Sequence, residues 1–546
     1  MVMNNKLLIT SLLILWSSVL FAQNDGEVES KTIYIVKNDT LKLVPANRFF
    51  ESNTDIQPVP EIKPQEYVTR DYSINPPRFD TKVMIPKMPT DSLNPILPNY
   101  LKAGFGNYGT AFGEAYMTNK RNAANSYGFH LKHLSSASGS LKNAASGQDL
   151  AEVFGSHYGK TNRWSGHASY SNNRYNYYGL QQDINVNKDT LKQTYQLFHA
   201  GISTSKIAIG DKFQYTTGFD LFYLNTSRKA TESELLWNGK GTYKLDDNRS
   251  ITTDMFISNV NKKDSSSQNR VLFMIQPTYN IKRDNWDLKV GATVNYSGDT
   301  LKGSKGVHLY PAIHANYNAL PGKVTLFGGI GGGMEKNTYR SFVQMNPYLG
   351  SNTMFSHTNK KIDLYIGSMG NLMGKLNYKV MLNYASYTNQ FFFVNSATDS
   401  SKFTVKYDQA NLFAFNGNLY YDLSKQWRAA AGLVYNSWKT STLTQAWSRP
   451  PLQFSASVQY NLKQKIFIQA EMYYLSGIQG LNLESKNKNG VKQNSITDVN
   501  LKGEYRFSNS FSAFLELNNI LSQKYQRYLY YQVKGFNVLA GLTYSF

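Results

Sequence analysis

The residues able to do chemistry in this 546-residue chain are few and poorly arranged for it, with eight histidines and no cysteine. Without thiols there is no disulfide framework and no thiolate metal site. His130 and His133 are three apart, a spacing that on a strand sends them to opposite faces, so they do not share an ion. The other six histidines are scattered. The run Gly328-Gly329-Ile330-Gly331-Gly332-Gly333 lacks the lysine and following hydroxyl of a phosphate loop, and reads as a strand where a linker or loop packs close to a wall. No Gly-x-Ser-x-Gly elbow is present, and the spacing of Ser, His and Asp does not bring them together. The expectation is a protein that is not an enzyme, with no cofactor and no metal.

What positions the remaining charged side chains is a period of two. Leu452, Phe454, Ala456, Val458, Tyr460 and Leu462 alternate with Gln453, Ser455, Ser457, Gln459 and Asn461, an eleven-residue strand long enough to cross a bilayer when tilted. After a turn at Lys463 to Lys465, Ile466, Ile468, Ala470, Met472 and Tyr474 oppose Gln469 and Glu471. Val307, Leu309, Pro311, Ile313, Ala315 and Tyr317 face away from His308, His314 and Asn316. Val499, Leu501, Gly503, Tyr505 and Phe507 oppose Asn500, Lys502, Glu504 and Arg506. One face suits lipid and the other a wet lumen, which makes His314, Glu471, Lys502, Glu504 and Arg506 lumen-facing candidates. Pro311 requires an unpaired backbone position or a bulge.

About 22 such segments run from Leu101 to Phe546, at roughly 20 residues per strand and turn. The fold class is all-β: a transmembrane antiparallel β-barrel of about 22 strands, preceded by a proline-rich N-terminal segment. Composition agrees, with 39 Tyr and 30 Phe against a mean hydropathy of −0.45. A barrel needs an apolar surface on one face only, with aromatic belts at the interfaces. The longer connections, Ala137 to Asp149, Gln181 to Thr190 and Gly480 to Ser495, are extracellular candidates.

The last strand carries an outward row, Phe536, Val538, Ala540, Leu542, Tyr544 and the terminal Phe546. Leu542, Tyr544 and Phe546 resemble the signal read by the barrel-insertion machinery. Before it, Leu517-Asn518-Asn519-Ile520-Leu521-Ser522-Gln523-Lys524-Tyr525 resembles the penultimate strand of TonB-dependent receptors, with Asn519, Ile520, Leu521 and Tyr525 at the positions of the Asn-Leu-Phe-like triplet and later Tyr. The opening strands, Leu101 to Gly106 and Ser126 to His133, look like receptor-like barrels without a plug. The resemblance implies a 22-strand fold and leaves energy-coupled import by this chain alone in doubt.

Ahead of the barrel, Lys6, the apolar stretch Leu7 to Phe21 and Ala22 read as a signal peptide, residues 1–22. Residues 23–98 hold ten of the sixteen prolines and form a periplasmic or lumen-threaded segment with room for one hairpin, Thr32 to Val36 with Thr40 to Val44, and none for a full plug of about 100 residues. Charge divides at the same point: nine Lys and Arg against eleven Asp and Glu in 23–98, and 48 against 26 in the barrel region 99–546. In an exported chain of a Gram-negative cell that basic excess suits outer-membrane lipid, lipopolysaccharide or anionic solutes, not nucleic acid. The expected location is the cell outer membrane. Two functions fit: a channel or transporter-like barrel for small solutes, or a closed barrel serving as structural or interaction subunit for an envelope protein partner.

Overall fold

A computed structural model describes residues 97–546, except 120, 121, 123, 180–186, 209 and 484–489. The signal peptide, the proline-rich segment and its hairpin lie outside the described residues. From Tyr100 to Ser545 the chain forms one 22-stranded antiparallel sheet in which each strand pairs with its neighbour in sequence. The last strand, Asn537–Ser545, pairs with the first, Tyr100–Gly106, setting Tyr100 opposite Ser545 and Gly106 opposite Leu539. That ladder closes the barrel and leaves the sheet no edge, as a bilayer demands of strands.

The alternating pattern becomes the two faces of the wall. On Gly306–Leu320, Val307 and Leu309 are exposed outside while Tyr310, His314 and Asn316 are buried inside. Pro311 is exposed and pairs only with Ala292, because pairing to the next strand starts at Ile313. Leu452–Leu462 and Ile466–Ser476 are joined by a turn with positive φ at Lys463 and Gln464, the primed hairpin turn that suits twisted strands. The glycine run lies within the strand Val324–Glu335. What approaches it is neighbouring wall: a Cβ on Gly329 would meet the Tyr365 hydroxyl at 2.5 Å and one on Gly332 the Tyr310 ring at 2.6 Å.

The two rims differ. At the rim holding Tyr100 and Phe546 the connections are short turns, and outward aromatic pairs form a belt: Trp286 with Tyr317 (4.6 Å), Trp427 with Tyr460 (4.4 Å) and Phe511 with Tyr544 (4.7 Å). At the opposite rim most connections are longer and some strands overshoot the membrane. Leu376–Asn395 and Phe403–Asp422 have 20 residues each, against roughly 10 needed to cross. Their surplus builds a wall above the lipid, with Phe392 and Val394 buried against Trp447 and Leu481 on one side and Phe391 and Phe393 buried on the other.

Candidate functional site

At the long-loop rim, the connection 336–357 turns inward and crosses the lumen. Its helix Tyr339–Met345 is too short to stand alone and is fixed from both ends of its first turn. Thr338 accepts from the Ser341 N–H (2.9 Å), and the Ser341 hydroxyl accepts from the Thr338 N–H (2.9 Å). The barrel wall supplies the rest. Glu232 accepts from the N–H groups of Tyr339 (2.7 Å) and Arg340 (2.9 Å), placing a buried carboxylate at the helix N-terminus. Two residues along the strand Thr231–Lys244, and so on the same face, Glu234 takes Arg340 Nη2 at 2.6 Å, Lys336, and the Ser258 hydroxyl at 2.8 Å.

An aromatic core fills the space around this helix. Tyr339, Phe342, Val343, Leu349 and Phe355 of the connection pack with Tyr195 and Leu224 from one wall, and with Phe391, Phe393 and Phe403 from strands nearly half-way round the ring. Leu529 and Tyr531, from the connection 519–536, complete it, with Tyr531 stacked on Tyr348 at 3.4 Å. Tyrosine hydroxyls then find backbone acceptors: Tyr195 donates to Pro347 (2.8 Å) and Tyr177 to Leu349 (3.0 Å). Through buried rings this segment touches strands nearly half-way round the ring from one another.

Behind the core, Asp299 Oδ2 accepts from the His357 N–H (2.6 Å), Ser356 (2.8 Å) and Ser304 (3.1 Å). The His357 ring is fully buried, and its Nδ1 accepts from the Asn337 N–H at 3.1 Å, so it must be unprotonated there. Burial, reinforced by the Arg270 charge, holds its pKa well below the ordinary histidine range, and Asp299 only partly opposes this. A group depressed in the closed state stabilises it above the unfolded pKa, about 6.5, and loses that contribution as pH falls. Between pH 7 and pH 5 the connection should therefore lose about 2 kcal/mol of closing free energy, roughly a 20-fold rise in local opening. Hydrogen exchange of residues 338–349 reads this directly. A profile that His357→Gln leaves unchanged would rule the histidine out as its source.

Away from this core the inner wall is polar. Lys102, only 6 % exposed, pairs with Glu516 at 3.5 Å and lies 3.9 Å from the Phe514 ring centre. Of the residues singled out from sequence, Lys502 lies cross-strand from Gln469 and Glu516, Glu504 is 3.5 Å from Arg506, and Arg506 sits over Phe467 at 4.2 Å. Glu471 accepts from Gln469 and from the Tyr473 hydroxyl (3.2 Å). His314 stands apart on its own strand and bonds to the Tyr365 hydroxyl at 2.8 Å. These five line one wall face without converging on a point. Leu542, Tyr544 and Phe546 face outward beside the closing ladder, Tyr544 stacked with Phe546 at 5.4 Å. His130 and His133 do face oppositely, bonding to Glu114 (2.8 Å) and Asp149 (2.6 Å) respectively.

The structure departs from the sequence-based expectation in three places. Asn519 to Tyr525 lies past the strand Phe511–Asn518, at the start of the connection 519–536. There Asn519, at φ 49°, bonds to Gln523, and Tyr525 donates to Asp498. The connections 336–357 and 519–536 are missing from the long ones picked out by sequence, because their aromatic residues look like strand faces. Finally, the histidines are not all scattered: strand pairing brings His167 and His199 together beside Asp220. The only signal was a polar residue on the inner face in mid-strand, three strands running.

No family model and no curated protein matches the chain. Solved structures do. The FrpB iron transporter from Neisseria meningitidis aligns with a TM-score of 0.66 at 9% identity, covering 82% of this chain and 81% of that one. The ferric-catecholate import receptor Fiu from K12 E. coli gives 0.63 at 10% identity (82% and 82%), and the ferric enterobactin receptor PfeA from Pseudomonas aeruginosa 0.60 at 13% (82% and 80%). The chain shares the barrel fold of these three proteins. At such identities the likeness is one of fold. Its closed 22-strand ladder, outward apolar residues and aromatic belt are the features of that fold.

Proposed function

We propose that the chain is a transporter-like outer-membrane barrel for small solutes, gated at its outward end by the inward-folded connection 336–357. The observation that carries this is the attachment of that connection to Glu232 and Glu234, with its aromatic core reaching both walls. A simple open pore has no need of such a closure. Lys502, Glu504, Arg506, Glu471 and His314 would set the field along the path, and the 48 to 26 basic excess of residues 99–546 would favour anions. Residues 23–98 would act as a linker or lumen-threaded segment rather than a full plug. Leu542, Tyr544 and Phe546 would serve the insertion machinery.

A second reading, the closed barrel as a subunit for an envelope partner, is favoured by the number of fully buried aromatic side chains in the core. Uptake of a small anion into liposomes separates the two. Intact protein should admit little at pH 7, and replacing 338–356 with a short Gly-Ser turn should raise uptake at least tenfold. If a folded barrel lacking both 23–98 and 338–356 stays impermeable, the transporter reading fails and the subunit reading stands.

A further inference from the structure

We propose that His167, His199 and Asp220 bind one divalent transition-metal ion on the inner wall of the barrel. They come from three successive neighbouring strands, Asn162–Asn176, Lys192–Lys206 and Phe213–Thr226. His167 Nε2 lies 3.1 Å from His199 Nε2, His199 Nε2 lies 3.1 Å from Asp220 Oδ1, and the remaining separation is 4.0 Å. Donors around a tetrahedral ion with bonds of about 2.0–2.1 Å stand about 3.3 Å apart, so a small outward adjustment admits an ion. The side chains are 33 %, 25 % and 21 % exposed, leaving the remaining coordination positions open to the lumen.

Gly201 makes the convergence feasible. It lies directly opposite His167 on one side and Asp220 on the other, and a Cβ there would come within 2.5 Å of Asp220 Oδ1 and 2.6 Å of the His167 ring. Any side chain at this position would drive the ligands apart. His199 is held flat against Phe222, ring centres 4.1 Å apart, and Asn238 Nδ2 lies 3.5 Å from the second Asp220 oxygen. Hydrogen bonding alone leaves one contact poorly satisfied: His199 Nε2 faces both Asp220 Oδ1 and His167 Nε2, and once it donates its single proton to the carboxylate it has no lone pair to accept from the second ring. Two imidazoles with one carboxylate suit zinc, copper, nickel or ferrous iron better than calcium or magnesium, which prefer oxygen. Phe222 also lies 3.7 Å from the Arg340 guanidinium of the gating connection, so an ion here would stiffen a contact of the gate. The site does not depend on whether the barrel transports anything.

The test is titration of the full chain, purified without a histidine tag, with Zn²⁺ by calorimetry and with Co²⁺ by visible absorption. One ion per chain is expected, with affinity falling at least tenfold in H167Q, H199Q and D220N and unchanged in H130A/H133A. G201V should lose binding as well, and the two isosteric glutamine variants keep the test valid if G201V fails to fold. Heat-modifiable gel migration shows that each barrel is intact. Absence of stoichiometric binding, or equal binding by the intact chain and the H167Q/H199Q double variant, would overturn the proposal.

Discussion

Replacing Glu232 and Glu234 together with leucine should detach the gating connection while leaving the barrel closed. The carboxylates are 2 % and 1 % exposed, and between them they satisfy two helix N–H groups, Lys336 and Arg340. Removing one side of a buried, hydrogen-bonded charge pair typically costs about 3–5 kcal/mol, chiefly because the partner charge stays buried without compensation. Here two cations and the end of a helix dipole lose their partners at once. Opening of residues 338–349 should rise between about a hundred- and a few-thousand-fold by hydrogen exchange, with heat-modifiable migration unchanged. The conservative Glu232→Gln, which retains one acceptor oxygen, should show a much smaller effect. Unaltered exchange in the double variant would mean that the aromatic core alone holds the gate.

The second large effect concerns closure of the ring. Gly541 stands opposite Gly104 where the last strand meets the first, and a Cβ at Gly541 would lie 2.0 Å from the Ala103 carbonyl oxygen and 2.6 Å from the Gly104 Cα. Both obstacles are backbone, so no rotamer change relieves the clash. Gly541→Val should prevent the first and last strands from pairing and expose two long edges, which in a membrane is costlier than any loss of packing. The expected result is at least a tenfold loss of heat-modifiable, protease-resistant barrel, with aggregation in its place. Valine at Gly503, where a Cβ meets nothing within 4 Å, is the control and should assemble normally.

The strands were legible in the sequence because one face meets lipid and the other meets water, so each side chain reports its side directly. Leu452–Leu462 could be read to the residue for that reason, and Ile466–Ser476 from its first residue as far as Tyr474. The inward connection 336–357 was not legible. Tyr339, Phe342 and Phe355 are apolar for the sake of a core inside the lumen, a third environment that period-two reasoning does not contain. Its anchors, Glu232 and Glu234, look like ordinary inner-wall carboxylates until the connection is seen to bond to them. The His167, His199 and Asp220 cluster depends on register across three strands, and a one-residue slip in any of them would disperse it. His314 and Arg506 were placed on the inner face from alternation alone, which says which way a side chain points and nothing about what meets it.

The most direct test is single-channel conductance in planar bilayers of two chains, both lacking residues 23–98, one keeping 338–356 and one with that segment replaced by a short Gly-Ser turn. The account predicts silence from the first and large, steady conductance from the second. Free conduction by the chain that keeps the segment, or silence from a correctly folded barrel without it, would contradict the claim that this connection closes the lumen.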